Sequence, residues 1–320
     1  MVYAFRKLLS FIFTLFIISA MTFFVFQLLP GDPARVILGT EADPLQVEAL
    51  RQELGLNLPL AQRYIDWILG VFKGDLGMSL RFRLPVGAML LTSLPVTASL
   101  SVLTLVITAV LVVPLSLLLT RLDQRPVGVL LSALIQLGTA VPSFWMGILL
   151  ILVFSVTLNA LPSGDFTPFS ESISGALRSL ILPSLALASG SVAIVTRYLK
   201  SALLDQMSQD YVRTAVGKGL TKRQAVFRHV TRNALLPAVT MLGMVFIDIL
   251  GGSIIVENVF NLPGIGSLLI LGVTYRDFPL VQGLTFYMAC MVLIINTAVD
   301  LLYIVIDPRL RKVGLKGREA

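Results

Sequence analysis

The sequence predicts an all-α, polytopic membrane protein with six transmembrane helices. Three observations carry that expectation. Hydrophobic residues fill 56% of the 320 positions and charged ones only 13%, with a mean hydropathy of +0.88. Soluble domains carry roughly 25% charged residues, so the balance points to lipid. Six long apolar runs punctuate the chain, and none has the strict alternation of a barrel strand or the short length that such a strand needs.

In chain order, residues 1–29 hold the N-terminal end and the first span. Leu8–Leu29 is free of charge and, at about 1.5 Å per residue, long enough to cross about 30 Å of hydrocarbon. Arg6 and Lys7 precede it and no small-residue cleavage site follows, so it reads as an uncleaved anchor. Residues 30–95 are the long polar stretch and predict a small extracytoplasmic subdomain. It opens with LLPGDPA (Leu28 to Ala34), whose prolines and glycine stop the helix. Asp43 then caps a helix with Pro44 at its first position, running to a stop at Gly55. A second, amphipathic helix covers Leu60 to Phe72, and KGDLGMSL (Lys73 to Leu80) reads as a turn.

Residues 96–306 form the core, with further spans at Val96–Thr120, Val127–Leu158, Leu180–Leu199, Asn233–Val256 and Leu280–Ile306. Pro114, Pro142, Pro183 and Pro237 lie within or at the mouths of these runs, and Gly138, Gly147, Gly190, Gly243, Gly251 and Gly252 lie inside them, predicting kinks and close helix contacts. Residues 307–320 are a basic tail. Basic residues set the orientation: Arg6, Lys7, Arg121, Arg125, Lys200, the loop near residue 220 and the tail gather sixteen of them on one side against five acids. The other side has eight against eleven. Both termini and the central loop are therefore expected to be cytoplasmic.

That central loop, within 200–233, organises the rest. From Ser208 to Pro237 it reads SQDYVRTAVGKGLTKRQAVFRHVTRNALLP. Ser208 is the expected N-cap of a two-turn helix, Asp210 suits the helix's positive end, and Gly217 and Gly219 supply a stop. Thr221 and Gln224 have capping-box spacing, so a second helix starts there and runs through His229 toward the next span. Arg213, Lys218, Lys222, Arg223, Arg228 and Arg232 face Asp210 alone. Such a loop can fix topology and touch anionic membrane lipid, or dock a soluble partner and carry its motion into the bilayer. A DNA-reading helix-turn-helix is disfavoured, because flanking spans would hold it against lipid and away from a groove.

YVRTAVGKGL (Tyr211 to Leu220) followed by RNALLP (Arg232 to Pro237) resembles the cytoplasmic coupling loop, the EAA loop, of ATP-binding-cassette (ABC) importer permeases. Ala215, Gly219, Leu236 and Pro237 keep the kernel, while Arg213 and Thr214 replace its Glu-Ala and the Gly-to-Pro gap is longer. Those departures are similar to the dipeptide, oligopeptide and nickel branch. LPGDPA, GDLG, VFNLPGIG (Val259 to Gly266) and the Asp-Pro-Arg ending (Asp307 to Arg309) extend the resemblance over nearly the whole chain. It implies a type I ABC importer permease fold in a bacterial or archaeal cytoplasmic membrane. It also implies a second homologous permease subunit, two ATP-binding subunits and an extracytoplasmic solute-binding protein as partners. Di- or oligopeptides are the implied substrate, with nickel chelates or glutathione-like molecules as alternatives. Coupling to the ATPase would fall to Asp210, Tyr211, Arg213, Thr214, Ala215, Val216, Gly217, Lys218, Gly219 and Leu220.

No Walker A loop is present; GKGLTK at Gly217 has the wrong spacing. The chain is therefore expected to be no enzyme and to bind no cofactor, with ATP and Mg at its partners. No nucleic acid is expected as a ligand. Cys290 and His229 are the single cysteine and histidine, so an internal disulfide and a His-based centre are excluded. Charged residues within spans are costly and suggest function. Asp248 is a candidate for lining a wet path, and Asp300 for pairing near the end of the last span. Glu257 is a translocation-path candidate at the entrance, by likeness to the family's outer loop; the plainer alternative is a solvated loop carboxylate. Two aspartates within spans also raise a membrane protease, but no Gly-x-Gly-Asp or HExxH motif accompanies them. An ion-coupled secondary transporter would show paired repeats, and the halves do not resemble each other.

Overall fold

A computed structural model describes residues 2–28, 33–39, 42–53, 55–164 and 166–306. Among them every extended element is helical, and only an isolated bridge joins Met78 to Pro85. The tail with its Asp-Pro-Arg ending, part of LPGDPA and the side chains of Lys222, Leu236 and Asp300 lie outside the described residues.

The helices are α1 (Val2–Leu28), α2 (Pro33–Leu38), α3 (Pro44–Glu53), α4 (Leu60–Phe72), α5 (Val86–Arg121), α6 (Pro126–Ala140) and α7 (Ser143–Leu150), which continues as a π-helical stretch, Ile151–Thr157. They are followed by α8 (Ile173–Met207), α9 (Asp210–Gly217), α10 (Lys222–Ala225), a π-helical turn (Val226–Val230), α11 (Thr231–Val259), α12 (Ile265–Thr274) and α13 (Phe278–Ile306). Five contain runs long and apolar enough to cross a membrane: Leu9–Gln27, Val86–Arg121, Ile173–Met207, Pro237–Val259 and Phe278–Val299.

The sixth apolar run departs from a simple span. Pro126–Ala140 and Ser143–Thr157 meet at 107°, where a single run from Val127 to Leu158 was expected. Val141 is extended (φ −93°, ψ 122°) before Pro142, as crowding by a proline ring favours. Pro142 then caps α7 without an amide of its own. Each arm is about 15 residues, or roughly 22 Å, short of the hydrocarbon thickness. Pro183 and Pro237, by contrast, sit inside continuous helices.

The contacts divide the chain into two compact units. One consists of Met1–Val96 with Pro263–Ile294. Its core is Val86, Leu90, Ile265, Leu280 and Leu284. An aromatic cluster joins α1 to α4: Phe23 meets Tyr64 at 5.4 Å, and the Tyr64 hydroxyl shares a 2.8 Å hydrogen bond with Ser19. The small helices follow local rules. Asp43 Oδ1 accepts from the Leu45 amide at 2.9 Å, with Pro44 at the first helical position, and Gly55 sits at φ +64° after α3. Helix α4 has the predicted bounds and ends on Gly74 at φ +84°.

The second unit is Thr97–Leu262 with the described residues from Ile295 on. Helix α8 is its centre, largely buried and packed by α11, α6 and α7. Gly138 marks the tightest crossing, since a Cβ there would lie 2.5 Å from the Ser189 carbonyl oxygen. Buried hydroxyls recur along α5, where Ser101, Thr104, Thr108 and Thr120 each donate to the carbonyl four residues back. The apolar run can hide them because each is satisfied within its own helix.

Candidate functional site

The central loop forms a compact helix, turn and helix at the end of α8. Its first cap differs from expectation. Ser208 is the C-cap that follows Met207 at the end of α8, still near helical geometry at φ −80° and ψ −10°, and its hydroxyl donates back to the Asp205 carbonyl at 2.8 Å. A serine held in helical geometry cannot turn its oxygen to the next helix's amides, so Gln209, extended at ψ 147°, precedes α9 instead and supplies no side-chain cap. Asp210 opens the helix, placing a carboxylate in the first turn where exposed amides favour it.

Helix α9 is fastened at both ends. The Tyr211 hydroxyl donates to Gln206 Oε1 at 2.8 Å, tying the helix to the last turn of α8, and Thr214 Oγ1 donates to the Asp210 carbonyl at 3.0 Å. At the other end Gly219 adopts φ +95°. Its amide donates to the Val216 carbonyl at 2.9 Å and the Leu220 amide to the Ala215 carbonyl at 3.2 Å, the paired bonds of a Schellman stop. Thr221 begins the next helix at once. Its amide donates to Gln224 Oε1 at 2.9 Å, and the Gln224 amide returns a bond to Thr221 Oγ1 at 3.3 Å, the reciprocal capping box that the spacing predicts. From Lys222 the backbone stays helical through α10, the π-helical turn and α11 to Val259.

Arg213, Thr214, Val216, Gly217, Lys218 and Gly219 are exposed, whereas Tyr211, Ala215 and Leu220 are half-buried. Arg213 pairs with Asp210 at 3.7 Å, but both side chains are more than four-fifths exposed, so the pair stabilises little. The loop thus presents a rigid basic surface on two helical turns.

The two path candidates lie on α11 but are not brought together. Asp248 is exposed on this chain, whereas Glu257 is fully buried. Nine residues separate them, which at about 100° per residue places them on opposite faces. Glu257 falls inside the helix, and Thr97 donates a 2.8 Å hydrogen bond to its Oε1. It is therefore not a solvated loop carboxylate: the helix continues past it and the Schellman stop comes at Asn261, with the Leu262 amide donating to the Glu257 carbonyl at 2.8 Å.

A further carboxylate, Asp277, escaped the sequence reading. It is buried and accepts from the Ser79 hydroxyl and from the amides of Leu80, Arg81 and Leu280. One side chain thus caps α13 and pins the turn that follows GDLG. The Asp-Phe-Pro string at Asp277 has the look of an N-cap, but its bonds to residues nearly 200 positions away leave no local trace.

Comparisons with known proteins agree with this architecture. The family of binding-protein-dependent transport system inner membrane components matches residues 112–312, and its N-terminal membrane component matches residues 1–101. A Brucella abortus (strain 2308) protein, provisionally named a peptide transport system permease protein, is 40% identical over 295 residues, covering 92% of this chain and 94% of the relative. The glutathione transport system permease protein GsiC of Escherichia coli (strain K12) is 37% identical over 309 residues, covering 97% and 98%. Among solved structures, an inward-facing form of the MetNI methionine ABC transporter superposes with a TM-score of 0.54 at 16% identity, covering 68% of this chain and 96% of that one. At that identity the likeness concerns the fold.

Proposed function

The chain belongs to the family of binding-protein-dependent transport system inner membrane components, and we infer that it lines the path of an ATP-driven importer for di- or oligopeptides. It is a multi-pass ABC importer permease, a transport subunit rather than an enzyme; ATP hydrolysis belongs to separate subunits. Peptide and glutathione relatives point to one substrate chemistry, since glutathione is itself a short peptide.

The observation that carries the coupling role is the construction of α9. It is a short, exposed helix tied to α8 through Tyr211 and joined by one tight stop to a helix that enters α11 without a break. A force on the exposed face of α9 would reach two spans through hydrogen-bonded helix rather than slack chain. We assign that face to the ATPase subunits, on the cytoplasmic side that the basic residues select. Alternating access follows: ATP binding closes the ATPase pair, α9 moves with it, and the spans rock around a central path. A second permease subunit shares that path, and Asp248, exposed on this chain, faces it. A solute-binding protein delivers cargo from the other side. Glu257 is the entrance residue of this scheme only if α5 and α11 separate, because it is sealed between them in this conformation.

The test is a mild-detergent purification of the tagged chain with its companions, followed by ATPase and uptake assays in proteoliposomes. Recovery of a second permease and P-loop subunits is expected. Arg213→Glu should leave insertion intact but separate hydrolysis from uptake. A chain that purifies alone and still transports without ATP would overturn the reading in favour of an ion-coupled carrier.

A further inference from the structure

Beside the coupling helix, and distinct from its exposed face, lies a cleft of about 260 Å³ lined by Leu117, Thr120, Arg121, Met207, Arg223, Val226 and Phe227. We propose that it is a binding site for an anionic phospholipid, whose phosphate is held by Arg121 and Arg223 while an acyl chain lies over Leu117, Met207, Val226 and Phe227. The position supports this. The helices that carry the candidate spans Val86–Arg121 and Ile173–Met207 both end at the cleft, and the proposal sets its apolar floor against the hydrocarbon edge with the two arginines toward the headgroups. Basic pockets between helices at that depth are where acidic headgroups bind.

Charge supports it as well. Among the described residues, no carboxylate pairs with either arginine. Asp123, two residues from Arg121, is engaged by Lys200 at 2.8 Å, and Asp205, on the last turn of α8, forms no ion pair with them. The Arg121 guanidinium lies 5.5 Å from the Phe227 ring centroid. That contact steadies the guanidinium beside the ring, and no described residue forms a hydrogen bond with its N–H groups, which suit the bidentate grip that phosphate takes. Phe227 remains 49% exposed and Met207 40%, an apolar surface that an acyl chain would cover. The volume falls below the range of about 300–1,000 Å³ typical of whole small-molecule sites, which suits one segment of a lipid whose remainder stays in the bilayer. A lipid so placed would wedge α5 and α8 against the helix that leads into α11, making the rigidity of the coupling element depend on acidic lipid.

The purified importer, with all its subunits, would be reconstituted in nanodiscs of phosphatidylcholine with or without phosphatidylglycerol, and bound lipid read by native mass spectrometry. Phosphatidylglycerol should remain on the wild-type complex and fall by about tenfold or more in R121Q/R223Q, as loss of charge-assisted bonds implies, while phosphatidylcholine is unaffected. Arg121→Lys keeps charge without the planar fork and should retain an intermediate amount. A photo-crosslinking residue at position 117, which alters neither arginine, should yield a lipid adduct. Equal retention of the two lipids, equal retention by wild type and double variant, or a crosslink from position 117 to another subunit would overturn the proposal.

Discussion

Gly217 and Gly219 stand two residues apart at the end of α9, yet the same substitution is expected to act with opposite sign. Neither has an atom within 4 Å of where a Cβ would be placed, so steric conflict drops out and only the backbone counts. Gly219 holds φ +95°, a region that costs a residue with a Cβ about 1–2 kcal/mol. That strain falls on the Schellman stop, loosening the Leu220 amide from the Ala215 carbonyl. Gly217 is helical, and alanine in a helix is better than glycine by up to about 1 kcal/mol, less at the final residue. Gly219→Ala should therefore raise hydrogen exchange at the Leu220 amide by about 5- to 30-fold, whereas Gly217→Ala should leave it unchanged or slow it. Exchange measured on the assembled transporter, alongside ATPase-driven uptake, reads both arms: Gly219→Ala should also weaken coupling, and Gly217→Ala should not. Equal shifts in the same direction would refute the account of α9 as a helix held by a left-handed glycine.

Three further outcomes follow from side chains already placed. Asp277→Ala removes the shared acceptor of Ser79, Leu80, Arg81 and Leu280 and should destabilise its unit by at least about 3 kcal/mol, given the worth of bonds to a charged group; faster proteolysis within 78–85 would report it, with Asp277→Asn intermediate. Gly138→Val drives a Cβ against the Ser189 carbonyl and should cost about 1–3 kcal/mol by overpacking, seen as a lower melting temperature, while Gly251→Ala, inside α11 with open space around it, should melt no lower than wild type, since alanine suits a helix interior better than glycine. Glu257→Gln preserves an acceptor for Thr97 and should assemble normally, whereas Glu257→Leu removes a buried carboxylate and its 2.8 Å bond from Thr97 and should lower thermal stability by about 1–3 kcal/mol.

What the sequence revealed correctly was local in origin. The Asp43–Pro44 start, the bounds of α4, the Thr221–Gln224 box and the Gly219 stop each depend on residues within about one helical turn, and single-residue chemistry determines them. The apolar spans were legible for the same reason: lipid imposes one length rule on every crossing. Ser208 failed because two helix ends compete for the same few residues. Its hydroxyl can cap the next helix or bond back into its own, and the backbone at Ser208 decides. Pro142 stands at a break between two helices and Pro183 inside a continuous one, although both lie in apolar runs. The difference lies in whether packing supports a helix around the missing amide; Pro183 lies buried in α8 among neighbouring helices.

The carboxylates show most clearly where local reading stops. Asp248, Glu257 and Asp277 look alike in sequence, each an acid beside apolar residues, and the fold gives them three different surroundings. Glu257 is sealed with Thr97, 160 residues away, and Asp277 is saturated by a turn that lies 196–198 residues away. Both are stable as buried groups because donors surround them, which makes them fasteners of their units. Asp248 is exposed midway along an apolar helix. A charge left there against hydrocarbon would cost several kcal/mol, so such residues face protein or water. A partner subunit or a hydrated path along that face of α11, as the proposed function has it, would remove that cost. Of the three acids, Asp248 is the one whose role depends on what assembles around this chain.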